Sequence, residues 1–72
     1  MKTTLDIITI ARSGVNIVLD ASSKTTMDLI SIVKTVFASG GHITLKNCDR
    51  KTTMDLITIC KINPSKLTID LS

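Results

Sequence analysis

Apolar and polar positions follow the same short pattern three times along this chain. The tract Lys-Thr-Thr-(Leu/Met)-Asp-(Ile/Leu)-Ile-(Thr/Ser)-Ile, here called the KTT tract, begins at Lys2, Lys24 and Lys51. Near-identity over so many positions is typical of repeat architectures, in which one structural unit recurs. A middle stretch of variable length and a short β-rich segment follow each tract. The pattern predicts a single repeat domain, 1–72, with units at approximately 2–23, 24–50 and 51–72.

The KTT tracts are predicted to start helices. In every copy a Thr precedes an Asp by three positions, a capping pattern that satisfies first-turn amides and places a carboxylate near the positive helix end. Because Ile and Thr are β-branched, a segment such as DIITI also suits a strand. The helical interpretation is favoured by the stops Ser13-Gly14, Ser39-Gly40-Gly41 and Asn63-Pro64.

The apolar spacing of the second unit supports the same interpretation. Its apolar residues recur at helical intervals after the tract begins, with polar residues largely on the opposite side. The first and third helices are expected to be shorter, about two to three turns. The predicted apolar face of the second helix consists of Leu29, Ile30, Val33, Val36 and Phe37.

The closing segments VNIVLDAS, HITLKNCD and LTIDLS are predicted strands. Ile43 and Leu45 alternate with polar residues, as in a strand with one buried face, whereas Val18 interrupts that alternation and suggests burial on both faces. Strands joined through helices are parallel, with right-handed crossovers. The predicted fold class is therefore α/β: three helix–strand repeats forming a small three-stranded parallel sheet with helices on one face, solenoid-like.

The segment Ile43-Thr44-Leu45-Lys46-Asn47-Cys48 resembles the L-x-L-x-x-N/C element of leucine-rich repeats. The spacing of 27 residues from Lys24 to Lys51 is similar to that of the longer helical class of the family. Segments 17–22 and 67–72 match the same element with Ser at its last position. The resemblance implies a related architecture, a small buried side chain at Cys48, and a protein-binding role.

Composition narrows the class of protein. A chain of 72 residues buries a modest share of its surface, so association is one way to gain stability. Phe37 is the sole aromatic residue, which predicts an aliphatic core. The net charge of +3 is too small to indicate nucleic-acid binding by itself. No apolar run has the length of a membrane span, and no signal peptide is recognisable.

No catalytic, cofactor-binding or metal-binding residues are predicted, and the chain is not expected to be an enzyme. His42 lies about 20 Å along an extended strand from Cys48 and Asp49, too far for a catalytic pair. The two cysteines, Cys48 and Cys60, are expected to be buried apolar residues in a reducing, cytoplasmic compartment. Met27 and Met54 are expected to fill the core.

Two surfaces are candidates for binding. In register, the lysines of the three tracts line up beside helix N-termini, a place that attracts anions, although Asp6, Asp28 and Asp55 offset that field. The open face of the sheet is the usual binding surface of solenoids. The candidate anion site comprises Lys2, Lys24, Arg50 and Lys51. The candidate interaction face comprises Asn16, Thr44, Lys46, Thr68 and Asp70.

The sequence therefore favours a small non-catalytic module that acts through protein–protein interaction, including self-association as a homo-oligomer. A short stack leaves apolar surface open at both ends, and neither end carries a polar cap. The last strand also has an unprotected edge. The alternative function is anion or nucleic-acid binding by the lysine row at the helix N-termini. No membrane partner is expected.

Overall fold

The computed structural model describes residues 2–72. Helices and strands alternate along the chain, and the strands form one parallel sheet in the order β1-β2-β3. The predicted α/β class, with three helices and a three-stranded parallel sheet, is therefore confirmed. The elements are α1 (Thr4–Ala11), β1 (Ile17–Asp20), α2 (Thr26–Ala38), β2 (Ile43–Lys46), α3 (Thr53–Cys60) and β3 (Leu67–Ile69).

Each helix begins as the KTT tract predicts. The hydroxyl of Thr25 accepts a hydrogen bond of 3.2 Å from the backbone amide of Asp28, and the equivalent bonds at Thr3 and Thr52 measure 3.1 Å. Each capping Thr has extended backbone angles and lies just before the helix. The side chain thereby satisfies an amide that has no partner inside the helix.

Each of the first two helices is followed by a glycine that no residue with a side chain could replace without backbone strain. Gly14 and Gly40 adopt φ values of 83° and 84°, in the left-handed region that glycine enters at little cost. Gly41 then passes so close to the backbone carbonyl of Val15 that an added Cβ atom would collide with it. This close approach joins the end of α2 to the start of β1, where the first two units meet.

The sheet has one buried and one open face. Ile43 and Leu45 of β2 are fully buried, while Thr44 between them and Lys46 after them are not. On the same open face as Thr44, Val18 is 69% exposed. The prediction that β1 is buried on both faces is therefore wrong, because the helices cover only one side of the sheet and an isolated exposed valine is tolerated.

The core is aliphatic, as predicted, and is centred on α2 and β2. These two elements have a neighbouring unit on both sides, so their inward side chains lose all contact with solvent. No helix in the described part of the chain combines the length and apolar character needed to cross a membrane. The fully buried apolar residues are Ala11, Ala21, Leu29, Ile32, Val33, Val36, Ile43, Leu45, Cys48 and Ile59.

Three predicted core residues lie on the surface instead. Met27 and Met54 are 71% and 69% exposed, and Phe37 is 54% exposed. The two methionines occupy the same tract position, in the first helical turn, on the side facing away from the sheet. Ile32, which is not part of the predicted apolar face of α2, is fully buried, whereas Phe37, which is part of it, is exposed. The helical period is thus correct, but the buried arc is rotated relative to the predicted face.

Candidate functional site

The lysines that open the KTT tracts form a ladder between units. Lys24 Nζ donates a hydrogen bond of 2.9 Å to the backbone carbonyl of Lys2, and Lys51 Nζ donates in the same way to the carbonyl of Lys24. Each lysine therefore ties its own unit to the preceding one. The sequence alone had not indicated this structural role, because the acceptor is a backbone atom in another unit.

A second ladder joins the first turns of neighbouring helices. Thr4 Oγ1 donates to Asp28 Oδ2 at 3.1 Å, and Thr26 Oγ1 donates to Asp55 Oδ2 at 3.1 Å. These bonds are partly shielded from water and involve a charged acceptor, which strengthens them. The tract Asp thus has two functions: it lies at the positive end of its own helix, and it binds the previous unit.

Both ladders stop at the ends of the molecule. At the end formed by α1 and β1, here called the first end face, neither the Lys2 ammonium nor the Asp6 carboxylate makes a hydrogen bond within residues 2–72. At the end formed by α3 and β3, the last end face, the Lys51 carbonyl and the Thr53 hydroxyl likewise have no partner in that range. Each end therefore carries one unfilled member of each ladder.

The first end face is apolar because it exposes residues whose equivalents in the other units are covered, and not because its unit contains more apolar residues. Ile10, Ile32 and Ile59 are equivalent residues of the three tracts. Ile32 and Ile59 are fully buried, whereas Ile10 is 45% exposed. Val15, between α1 and β1, is also 45% exposed. In the second and third units this tract position faces the preceding unit, and no unit precedes the first within residues 2–72.

The last end face shows the converse pattern. Leu56 is only partly buried although its counterpart Leu29 is fully buried, and Ile57 is 40% exposed. In the first two units these positions face the following unit, and no unit follows the third within residues 2–72. They border an open apolar groove of about 450 Å³, which is lined by Thr53, Leu56, Ile57, Cys60, Lys61, Pro64 and Ile69.

The structure brings the predicted interaction-face residues together on the open side of the sheet. Thr44 and Thr68 occupy one cross-strand row with Val18, and Lys46 pairs in register with Asp20. Asn16 precedes β1 and uses its side-chain oxygen to accept a hydrogen bond of 3.0 Å from the His42 amide. The surface is flat and mainly polar, without an aromatic residue that would anchor a partner.

The edge of this face carries charges of alternating sign. Asp20 and Asp70 lie on either side of Lys46 at the carboxyl ends of the strands. Hydrogen bonds from the side chain and then the backbone of Ser22 hold the pKa of Asp20 below its ordinary value of 3.8. Ser72 lowers the pKa of Asp70 in the same way. Both carboxylates therefore stay ionised in mildly acidic solution.

The candidate anion site is rearranged relative to the prediction. Its lysines do line up, but the ammonium groups of Lys24 and Lys51 already donate to backbone carbonyls. Arg50 is exposed beside a polar hollow that also contains Asp49. Lys2 is exposed at the first end face. The four residues therefore do not converge on one pocket.

The histidine and the two cysteines, which are the other residue types able to take part in catalysis or metal binding, make contacts that stabilise the fold. His42 Nε2 lies 3.2 Å from Thr68 Oγ1 on the sheet surface. Cys48 is buried, its Sγ donates to the Leu45 carbonyl at 3.2 Å, and burial raises the pKa of its thiol. Both cysteines are free. No group of three or more metal-binding side chains occurs among the residues that the structure describes.

One buried polar residue was not anticipated. Asn63, in the turn between α3 and β3, is only 1% exposed, and within residues 2–72 its side-chain nitrogen has no hydrogen-bond partner. The Ser65 hydroxyl donates weakly to its oxygen at 3.4 Å. The sequence had suggested Asn63-Pro64 only as a helix stop.

Neither protein-family models, curated proteins nor solved structures match the chain. The contrast between the inner contacts of the molecule and its two end faces is therefore the feature that bears most directly on function.

Proposed function

We propose that this protein is a small non-catalytic interaction module that associates with itself through its end faces. The observation that carries the proposal is the exposure of Ile10, 45%, at a tract position that is fully buried in Ile32 and Ile59. At the other end, Leu56 is only partly buried although its counterpart Leu29 is fully buried. Ile57 beside it is 40% exposed. Apolar surface that is buried inside and exposed at an end gains free energy when another molecule covers it.

The small size of the chain adds to this argument. A core centred on α2 and β2 leaves the outer units with half-buried strands: Ile17 and Leu19 of β1, and Leu67 and Ile69 of β3, are only partly covered. Association would remove that surface from water. Repeat proteins in general need either polar terminal units or neighbours to protect such ends.

A concentration series tests the proposal directly. Sedimentation velocity and light scattering should show the average mass rising above the chain mass of 7.8 kDa as the concentration increases. The circular dichroism spectrum at each concentration reports whether the fold is retained. A folded monomer at every concentration would remove self-association from the proposal.

The alternative, anion or nucleic-acid binding through Lys2, Lys24, Arg50 and Lys51, receives less support from the geometry. Two of its four cations already donate to backbone carbonyls, so binding a phosphate there would require breaking the ladder. Titration with DNA, RNA and phosphate at several salt concentrations tests it. Binding that survives the double substitution Lys24→Ala and Lys51→Ala would exclude that row as the site.

Two further expectations belong to the same proposal. The free thiols of Cys48 and Cys60 support a reducing, cytoplasmic location. The buried Cys48 at the end of β2 supports the leucine-rich-repeat-like interpretation, in which a small side chain is packed at that position. Both support a role in protein–protein contact without identifying a chemical reaction.

A further inference from the structure

We infer that the partner of each end face is the opposite end face of a second copy, so that copies associate head to tail and continue the internal stack. This inference rests on the proposed self-association and specifies its geometry. The last end face of one copy would contact the first end face of the next. Units three and one would then meet as units one and two do within the chain.

In this arrangement all four unfilled ladder members gain a partner, with the same donor–acceptor pairs that join neighbouring units inside the chain. The last end offers the acceptor Lys51 carbonyl, and the first end offers the donor Lys2 ammonium. The last end also offers the donor Thr53 hydroxyl, and the first end the acceptor Asp6 carboxylate. A twofold pairing of two first ends can match Lys2 of each copy with Asp6 of the other, but it leaves the Lys51 carbonyl and the Thr53 hydroxyl of both copies unfilled and does not repeat the internal contacts.

The apolar residues at the two ends fit the same head-to-tail direction. Inside the molecule, the tract position of Ile32 is covered by the preceding unit, and the position of Leu29 by the following one. In a head-to-tail pair, Ile10 of one copy takes the place of Ile32, against Leu56 and Ile57 of the other. The groove of about 450 Å³ on the last end face then binds the side chain of Ile10.

The strand edges continue the sheet but oppose like charges. In the internal register, β3 of one copy pairs with β1 of the next as β2 does with β3, and Asp70 then neighbours Asp20 of the second copy. Like charges opposite each other weaken strand pairing. Since the chain also carries a net charge of +3, added salt should strengthen association by screening.

Because the two contacting faces differ, the arrangement has no built-in closure. Such heterologous contacts produce rings if the rotation closes and open filaments if it does not. Mass distributions with successive additions of one chain are therefore expected, in place of a single stable dimer.

Two variants with opposite ends blocked test the inference. Ile10→Lys places a charge on the first end face, and Ile57→Lys places one on the last. Each should weaken homotypic association about tenfold or more, since an unpaired charge would be buried in the contact. An equimolar mixture should form a complex of one Ile10→Lys chain with one Ile57→Lys chain and stop there, as measured by sedimentation equilibrium and native mass spectrometry.

The control variant is Met27→Lys, which makes the same type of change at a residue 71% exposed on the outer side of α2. It should associate like the wild type. Circular dichroism of all three variants at low concentration verifies the fold. Should either blocked variant be unfolded, Thr53→Val provides the second test, since it removes one hydroxyl and should weaken association a few-fold.

The possible outcomes distinguish the head-to-tail geometry from self-association itself. A wild type that stays monomeric defeats the proposed function itself. A wild type that associates, with a blocked variant that dimerises through its own intact end, defeats only the head-to-tail geometry. A mixture that forms no complex although the wild type associates also defeats that geometry.

Thiol reactivity and salt provide two independent readouts. Cys60 borders the groove of the last end face and should react more slowly with a thiol reagent as association increases, whereas buried Cys48 should be slow at every concentration. Asp70→Asn should strengthen association a few-fold by removing the like-charge pair. Equal reactivity of Cys60 at all degrees of association, or weaker association of Asp70→Asn, would contradict the inferred contact.

Discussion

The middle of this molecule and its ends are made from nearly the same sequence, yet they differ in how deeply equivalent residues are buried and in which hydrogen bonds join them to another unit. Ile32 in the second tract is fully buried, and Ile10 in the first is 45% exposed. Thr26 donates to a carboxylate of the next unit, and Thr53 has no acceptor among residues 2–72. The difference shows that burial here is a property of having neighbours and not of the tract.

This contrast explains why the ends are the candidate site. In most repeat proteins the terminal units differ from the inner ones and protect the core. Here the terminal tracts keep the inner pattern, including the donors, acceptors and apolar residues suited to a neighbour. Substitutions at equivalent positions of inner and outer units therefore measure directly how much a neighbour contributes.

The largest difference is expected at the buried isoleucine. Ile32→Ala should lower the free energy of unfolding by about 2–5 kcal/mol, since it leaves a cavity between α2 and its neighbours. Ile10→Ala should cost about 1 kcal/mol or less, because the residue is half-exposed. Urea unfolding at a concentration where the chain is monomeric measures both values.

If Ile32→Ala abolishes folding, Ile32→Val, with an expected cost of about 0.5–1.5 kcal/mol, retains the comparison. Equal losses at positions 10 and 32 would mean that the first unit is as well covered as the second, contrary to the exposures observed here.

A smaller difference is expected for the threonine ladder. Thr26→Val preserves the shape of the side chain but removes the hydrogen bond to Asp55, and should cost about 1 kcal/mol. Thr53→Val removes a hydroxyl without a partner in the described chain and should leave the stability of the monomer unchanged within experimental error. Urea midpoints of the two variants, measured side by side, provide the test, and a larger loss for Thr53→Val would refute the assignment.

The lysine ladder should follow the same rule with a smaller magnitude. Lys51→Met keeps most of the aliphatic stem but removes the donor to the Lys24 carbonyl, with an expected cost of about 0.5–1 kcal/mol. Lys2→Met, at the first end face, should not change the unfolding of the monomer. Thermal unfolding at low concentration compares the two, and identical effects would indicate that the Lys51 bond contributes nothing in solution.

The smallest effect is expected from acid, at the two edge strands. Because their serine partners lower the folded-state pKa values of Asp20 and Asp70 below 3.8, these carboxylates stabilise the fold above that pH. Their contribution is lost as the pH falls below 3.8 through the folded-state values. The double variant Asp20→Asn and Asp70→Asn should lose less stability in that range than the wild type, as followed by circular dichroism. Parallel acid profiles for the two proteins would contradict this account.

Local interactions explain which features of the fold could be predicted. Capping by Thr25, the glycine at position 40 and the alternation of Ile43 with Thr44 each depend on residues close in sequence, so the helix starts, the stops and β2 followed from pattern alone. The prediction for Phe37 was wrong because periodicity identifies an apolar arc but not the direction of the sheet. Met27 lies outside that arc, and its assignment to the core depended on its apolar character alone. Val18 was misplaced for a related reason, since alternation cannot show how many faces are covered.

By itself, the sequence determined the repeating helix–strand order, the parallel sheet and the capping chemistry, because each unit contains a tract that caps and starts a helix and a closing segment that forms a strand. The tertiary structure decided which copies of the tract are buried, what the lysines and first-turn threonines bind, and where apolar surface remains uncovered. Those outcomes depend on contacts such as Lys24 with Lys2 and Thr26 with Asp55, which join separate units. The neighbouring units, and not the tract alone, decide whether a nearly identical set of residues forms core or exposed surface.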